Sequence, residues 1–239
     1  MTVFFIVSFA WLFQSITGFG AGIFIIGLLS LFYEPKAVVV SSAVFNLLGT
    51  LGLLLQNRKG RIEPYLMLSL LLWSVPGIYL GAYLLDTIDS KSLKLLIALF
   101  IILLGLYDLL VQKKLLKLKL GRRAGPFMGF LGGLFAGLVG MGGPPPVVFL
   151  NQQLRDPQSI RLMLNLLFTS NILFRLIFYK GFDVVRLERG FLLLGLAGVL
   201  AGLLIGAFLS HFIKAKVYKG LVSYSVMFLG FLLLLFSLR

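Results

Sequence analysis

The chain has 239 residues, of which 59% are hydrophobic and 13% charged, with no cysteine and a single histidine. This composition excludes a disulfide framework, thiolate catalysis and a metal site built from several histidines, and it leaves no stretch polar enough for a soluble domain. The net charge of +14, from 22 Lys and Arg against 8 Asp and Glu, would suggest nucleic acid in a soluble protein. Here the basic residues lie in the connections between apolar runs, which is the positive-inside pattern of a polytopic membrane protein, so nucleic acid is not expected as a partner.

A helix rises about 1.5 Å per residue and the hydrocarbon core is roughly 30 Å thick, so about 20 apolar residues span it. The first predicted segment, residues 2–33, is uncharged and too long for one straight helix. It is interrupted at Gln14-Ser15-Ile16-Thr17-Gly18-Phe19-Gly20-Ala21-Gly22. No basic region precedes it and no clear cleavage site follows, so it is read as mature protein and not as a signal peptide. After Glu34-Pro35 comes a span at 36–56, with Ser42, Asn46 and Thr50 sharing one face. Spans at 64–85 and 93–111 follow. Ser69 and Ser74 are expected to bond neighbouring helices, and Asp108 to sit at the interface.

The densest basic run, Lys113, Lys114, Lys117, Lys119, Arg122 and Arg123, then separates two halves. It is expected on the cytoplasmic side, as is the loop 57–63, with anionic lipid headgroups as its contacts. The second broken segment, 125–150, is interrupted at Gly137-Leu138-Val139-Gly140-Met141-Gly142-Gly143-Pro144-Pro145-Pro146. Three consecutive prolines cannot lie in a helix interior. Gly129, Gly133 and Gly137, spaced by four, are read as a helix-packing stripe. The span at 157–179 carries Asn165, Thr169, Asn171 and Arg175. Arg175 is expected either to attract an anion or to snorkel to the interface, with snorkelling preferred because Lys180 is close by. Spans at 189–211, ending on His211, and 216–238, containing Ser225, complete the chain.

The two halves match at a near-constant offset. Gly18-Phe19-Gly20 precedes Gly140-Met141-Gly142 by 122 residues, as Glu34-Pro35 does Asp156-Pro157, and Gly81-Ala82 precedes Gly206-Ala207 by 125. This predicts an internal duplication: a first repeat over 1–112, a basic cytoplasmic linker over 113–124 and a second repeat over 125–239. Each repeat holds one glycine-broken segment and three spanning helices, all α. If the broken segments cross fully, the halves are parallel; if they enter and turn back, the halves are inverted. The charges leave this open, since the schemes, which differ over the loops 180–189 and 211–219, give the same division of basic residues. The inverted arrangement is favoured because it points the two breaks at each other near the midplane, a common transporter plan.

Broken segments at matching places are the best sequence pointer to a transport site. Glycine lets the backbone approach a ligand, and a helix starting after the break offers N–H groups and a positive dipole end to an anion. The candidate substrate-binding residues are therefore Gln14, Thr17, Gly18, Gly20 and Gly22 at the first break and Gly140, Gly142 and Gly143 at the second. Ser42, Asn46, Asn165, Thr169, Asn171 and Arg175 join them from the helices that follow. Glu34 and Asp156 are read as turn or cap residues, with proton coupling as their alternative role. No enzyme signature is present, and no catalytic residue, metal ligand or cofactor is assigned.

The duplicated glycine breaks, the form Gly140-Met141-Gly142-Gly143-Pro144-Pro145, its looser copy Gly18-Phe19-Gly20-Ala21-Gly22, and the acid-proline connectors together resemble the TauE/SafE sulfite exporter family over essentially the whole chain. The resemblance implies a multi-pass permease of a bacterial or archaeal inner membrane, usually an exporter, for small sulfur-containing anions such as sulfite, sulfoacetate and other organosulfonates. The expected function is secondary transport of such an anion, held between the two breaks. An anion channel and a non-transporting membrane assembly protein are the alternatives. The small anion and membrane lipids are the expected partners, and a homo-oligomer is left open.

Overall fold

A computed structural model describes residues 1–17, 20–56, 60–112, 119–181, 189–209 and 228–236. Gly18, His211, Lys219, Ser225, the lysines at 113, 114 and 117, and the side chains of Thr17 and Asp108 lie outside the described residues. The described elements are helical. They are α1 (Thr2–Thr17), α2 (Ala21–Leu29), α3 (Pro35–Gln56), α4 (Pro64–Thr87), α5 (Ser90–Gln112), α6 (Gly125–Val139), α7 (Pro144–Gln153), α8 (Pro157–Gly181) and α9 (Arg189–Leu209), with a single 3₁₀ turn at Arg122–Ala124 and a helical stretch over 228–236. Among the described residues, five helices (α3, α4, α5, α8 and α9) are long and apolar enough to cross a membrane. They carry large apolar side chains on the outside, such as Leu72, Trp73, Leu103, Leu193 and Leu204, as a lipid-facing surface requires.

The chain divides into two compact units that do not coincide with the sequence halves. The first takes residues 1–39, 88–118 and 187–239; the second takes 40–87 and 119–186. Each unit thus pairs the broken segment of one half with the second spanning helix of the other.

In the first unit, α1 packs along α9. A Cβ added at Gly198 would lie 2.7 Å from the Phe4 carbonyl oxygen, and one at Gly202 would strike the Ser8 carbonyl. At Gly206 it would stand 2.5 Å from Ser15 Cβ and 3.1 Å from the Leu12 carbonyl oxygen. Glycines spaced by four bring the two backbones into direct contact. The break sends α2 back along α1. The Phe24 ring packs edge-on against both Phe13 and Phe9, at centroid distances of 4.7 and 5.5 Å. A straight helix would hold Phe9 and Phe24 roughly 22 Å apart, so this contact requires a hairpin.

In the second unit, α4 and α6 interleave their glycines. Gly129, Gly133 and Gly137 face the carbonyls of Leu70, Ser74 and Ile78, while Gly77 and Gly81 face those of Phe130 and Leu134. The packing role read from the glycine spacing holds. The contacts repeat those of the first unit: Gly77 and Gly81 stand to Phe130 and Leu134 as Gly202 and Gly206 stand to Ser8 and Leu12, with the glycines offset by 125 and the carbonyls by 122. The hairpin also repeats. A Cβ at Gly132 would lie 2.8 Å from Pro146 Cγ, and one at Gly125 would lie 3.3 Å from Phe149 Cζ. At the open end of this hairpin, Leu120 donates its N–H to Gln152 Oε1 (2.8 Å), and Gln153 Nε2 donates to the Leu120 carbonyl (2.7 Å).

Helix α8 runs alongside α4 in the same direction, joined by Ser74 with Asn171 and by the Tyr79 and Phe178 rings. Ser74 therefore takes its expected inter-helix role, and Ser69 lies against Gly125 at the α4–α6 contact. Leu66, Leu70, Phe149, Leu150, Met163 and Leu167 form a core between α4, α7 and α8. At the start of α8, Ser159 Oγ accepts a hydrogen bond from the Arg61 N–H at 2.8 Å, holding the loop before α4 beside it.

Candidate functional site

The first break is held by its own residues. Gly20 has φ 115°, a left-handed conformation that glycine adopts without steric cost. The buried Gln14 side chain reaches from α1 and accepts the Ala21 N–H at 2.8 Å, so one donor at the start of α2 is already taken. Ile23 and Phe24 donate to the Gly20 carbonyl, and Gly22 sits in the first turn.

At the second break, Gly140 has φ 73° and ends α6. Its N–H goes to the Ala136 carbonyl at 3.1 Å, and that of Met141 goes to Phe135 at 3.2 Å. Helix α7 opens with Pro144, Pro145 and Pro146, so its first turn carries no N–H at all. The free helix-end donors expected there are accordingly confined to Gly142 and Gly143. Gly142 is pressed against the Gly132 carbonyl and stands 2.6 Å from Ala136 Cβ, counted from where its own Cβ would be.

The densest polar grouping lies in the second unit, on α3 and α8. Arg175 is 2% exposed and does not snorkel. Its Nε donates to the Tyr179 hydroxyl at 3.2 Å, its Nη2 reaches Ser42 Oγ at 3.5 Å, and its Cζ stands 5.4 Å from the centroid of the Tyr179 ring. The expectation of an outward guanidinium fails because α8 itself supplies, one turn on, an aromatic ring and a hydroxyl that solvate the charge internally. Burying a cation costs several kcal/mol unless it is bonded, on the order of the penalty for any desolvated ion. The hydroxyls of Tyr179 and Ser42 orient the guanidinium.

Asn46, one turn beyond Ser42 on α3, is buried, and its Oδ1 has no hydrogen-bond partner among the described residues. Its backbone carbonyl accepts from Thr50 Oγ1 at 2.8 Å. Asn165 is buried, with its carbonyl taken by Thr169 Oγ1 at 2.8 Å. Asn171 Oδ1 accepts from Ser74 Oγ at 2.7 Å, which ties it to α4. Ser42 and Arg175 are thus brought together, Thr169 bonds within its own helix, and Gln14, Gly20 and Gly22 belong to the first unit. Tyr179 was missed by sequence reasoning. The signal that would have found it is the i, i+4 spacing of a phenol and the one arginine inside an apolar run.

Both acid-proline connectors cap helices. Glu34 accepts the Ala37 N–H at 3.0 Å and the Ser90 hydroxyl at 2.6 Å. Asp156 accepts the Ser159 hydroxyl at 2.6 Å and the N–H groups of Ser159 and Gln158 at 3.0 and 3.2 Å. These bonds, the Ser159 hydroxyl foremost, hold the Asp156 carboxyl below the usual carboxylate range.

A family model described as "Sulfite exporter TauE/SafE" matches residues 3–233. A "Probable sulfite/organosulfonate exporter TauE" from Cupriavidus necator is 28% identical over 169 residues, which is 70% of this chain. The chain covers 66% of that relative's length, just under two thirds. No solved structure matches the chain.

Proposed function

The chain belongs to the TauE/SafE sulfite exporter family, and from that premise we propose that it is a secondary transporter that exports small sulfur-containing anions such as sulfite or organosulfonates. The observation that carries this reading is the buried Arg175 guanidinium, set among the hydroxyls of Ser42 and Tyr179 inside a unit built around a broken helix. Asn46, whose buried amide oxygen has no hydrogen-bond partner among the described residues, lies one turn beyond Ser42 on α3, and Asn165, Thr169 and Asn171 are further polar residues on α8. Gly142 and Gly143 offer the remaining backbone donors at the second break. Gly20 and Gly22, beside the Gln14 cap on the Ala21 N–H, form a donor set at the first break, to which the sequence reading adds Thr17 and Gly18. A guanidinium oriented by the hydroxyls of Ser42 and Tyr179 presents positive charge in a fixed direction, which suits recognition of a small anion.

The duplication into 1–112 and 125–239 is part of the proposal. The matched glycine-to-carbonyl contacts at offsets of 125 and 122 support it. The inverted arrangement draws support from both hairpins and from the parallel run of α4 and α8. If each hairpin returns to its own side, each repeat has three crossings. The loops 57–63 and 112–123, the connector at Asp156 and the basic segment 211–219 then share the cytoplasmic face of the inner membrane. The Arg61–Ser159 bond fits that placement, whereas eight full crossings would separate its partners. With few carboxylates inside the spans, transport is either uncoupled or coupled through a peripheral acid such as Glu34.

Thermal unfolding of the purified protein against a panel of sulfur oxyanions and carboxylates at fixed ionic strength tests the reading. Selective stabilisation by sulfite or a sulfonate is expected, following RT ln(1 + [L]/Kd). Arg175→Met is expected to abolish it, and Asn165→Leu to abolish flux while the protein still inserts. A protein stabilised by no sulfur anion, or an Arg175→Met variant that responds as the wild type does, refutes the site.

A further inference from the structure

Tyr179 is 3% exposed, and it joins the guanidinium to the second break. Its hydroxyl oxygen accepts from Arg175 Nε at 3.2 Å, and its O–H donates to the Gly137 carbonyl at 2.5 Å. Gly137 lies in the last turn of α6, where carbonyls have no partner within the helix. The neighbouring carbonyls of Phe135 and Ala136 are taken by Met141 and Gly140. The phenol therefore extends the cap of α6 to Gly137, at the point where the break begins. Gly137 cannot drift from this place toward α4, because its Cα already faces the Ile78 carbonyl too closely for any side chain. The result is a polarised chain, guanidinium to phenol to helix-end carbonyl, in which each bond strengthens the next.

We infer that Tyr179 is a positioning residue of the anion site: its hydroxyl fixes the Arg175 guanidinium in register with the glycine break, so that anion affinity depends on the break being formed. This rests on the reading that Arg175 attracts the anion. Two side chains on one helix turn can rotate independently; the bond to Gly137 removes that freedom and couples α8 to the end of α6. A neighbour that only filled space would not need a hydroxyl.

The test is a titration of the full-length purified protein with sulfite and with methanesulfonate, read as thermal stabilisation, for wild type, Tyr179→Phe, Arg175→Lys and the double variant. Tyr179→Phe keeps the ring and its packing. Its affinity for both anions is expected to fall about ten- to a hundredfold, as loss of a bond to a charged group does, with a ligand-free midpoint lowered by the buried Gly137 carbonyl that loses its donor. In the Arg175→Lys background, which keeps the charge but lacks Nε, the same substitution is expected to cost little more affinity. Tyr179→His, whose ring both donates and accepts, should recover part of the loss, and it carries the comparison with wild type if Tyr179→Phe does not fold. Unchanged affinity in the folded Tyr179 variants overturns the inference, as does an equal loss in both Arg175 backgrounds. Arg175→Met separates the two levels. If it abolishes binding while Tyr179→Phe does not, only the positioning role fails; if it binds normally, the site itself is wrong.

Discussion

Replacing Gly133 by alanine tests the packing that holds the second unit together. The added Cβ would meet the Ser74 carbonyl oxygen, with the Ser74 carbonyl carbon and Cα both 2.8 Å away. The obstacle is α4 backbone, so no side-chain rotation relieves it and the two helices must separate. Overpacking costs about 1–3 kcal/mol, and a backbone obstacle belongs at the upper end. Alanine in place of glycine returns about 1 kcal/mol of helix propensity. The net loss is then about 2 kcal/mol, which for a chain of this size lowers the thermal midpoint by roughly 4–8 °C. Gly190→Ala is the control, since nothing lies within 4 Å of its Cβ position, and its midpoint should not fall. A Gly133→Ala midpoint within about 1 °C of wild type would mean that the helices part at no cost, and that the close approach of α4 and α6 contributes nothing to stability.

Gly140→Ala places a side chain at φ 73° and should destabilise by about 1–2 kcal/mol, with Gly140→Asn nearer to wild type in the same thermal assay. For Asp156 the sign follows from its lowered pKa. Its stabilising contribution is complete at neutral pH and is lost as pH falls through the depressed folded value, so the midpoint of the wild type should drop in acid more steeply than that of Asp156→Ala. An equal acid slope in both proteins would show that the cap adds nothing. Because the chain has no cysteine, Arg123→Cys and Arg155→Cys report topology directly. Both positions are exposed, and an impermeant maleimide should label them from the same, cytoplasmic side. Labelling from opposite sides would exclude the inverted arrangement.

Much of the architecture can be read from local chemistry. A run without charge and about 20 residues long has few alternatives to a spanning helix, and five such helices stand where the runs lie. The breaks were equally legible: glycine permits the positive φ found at Gly20 and Gly140, and three prolines in succession cannot lie in a helix interior. The cap roles of Glu34 and Asp156 followed from an acid beside a proline at a helix start.

Other features depend on residues far apart in sequence, and only the tertiary structure decided them. Charge counts allowed the broken segments to cross or to return; contacts such as Phe9 with Phe24 and Gly132 with Pro146 fold each segment into a hairpin, which supports the proposed return. Arg175 had an interface and an interior within reach, and the interior prevailed because Tyr179, Ser42 and the end of α6 together form a pocket of bonds that no local pattern specifies. The pairing of α1 with α9 and of α6 with α4, which threads the two sequence halves through both compact units, was likewise hidden, although every glycine that makes it was in view. Spacing by four shows that a helix can be approached closely; which helix approaches is decided by the whole chain.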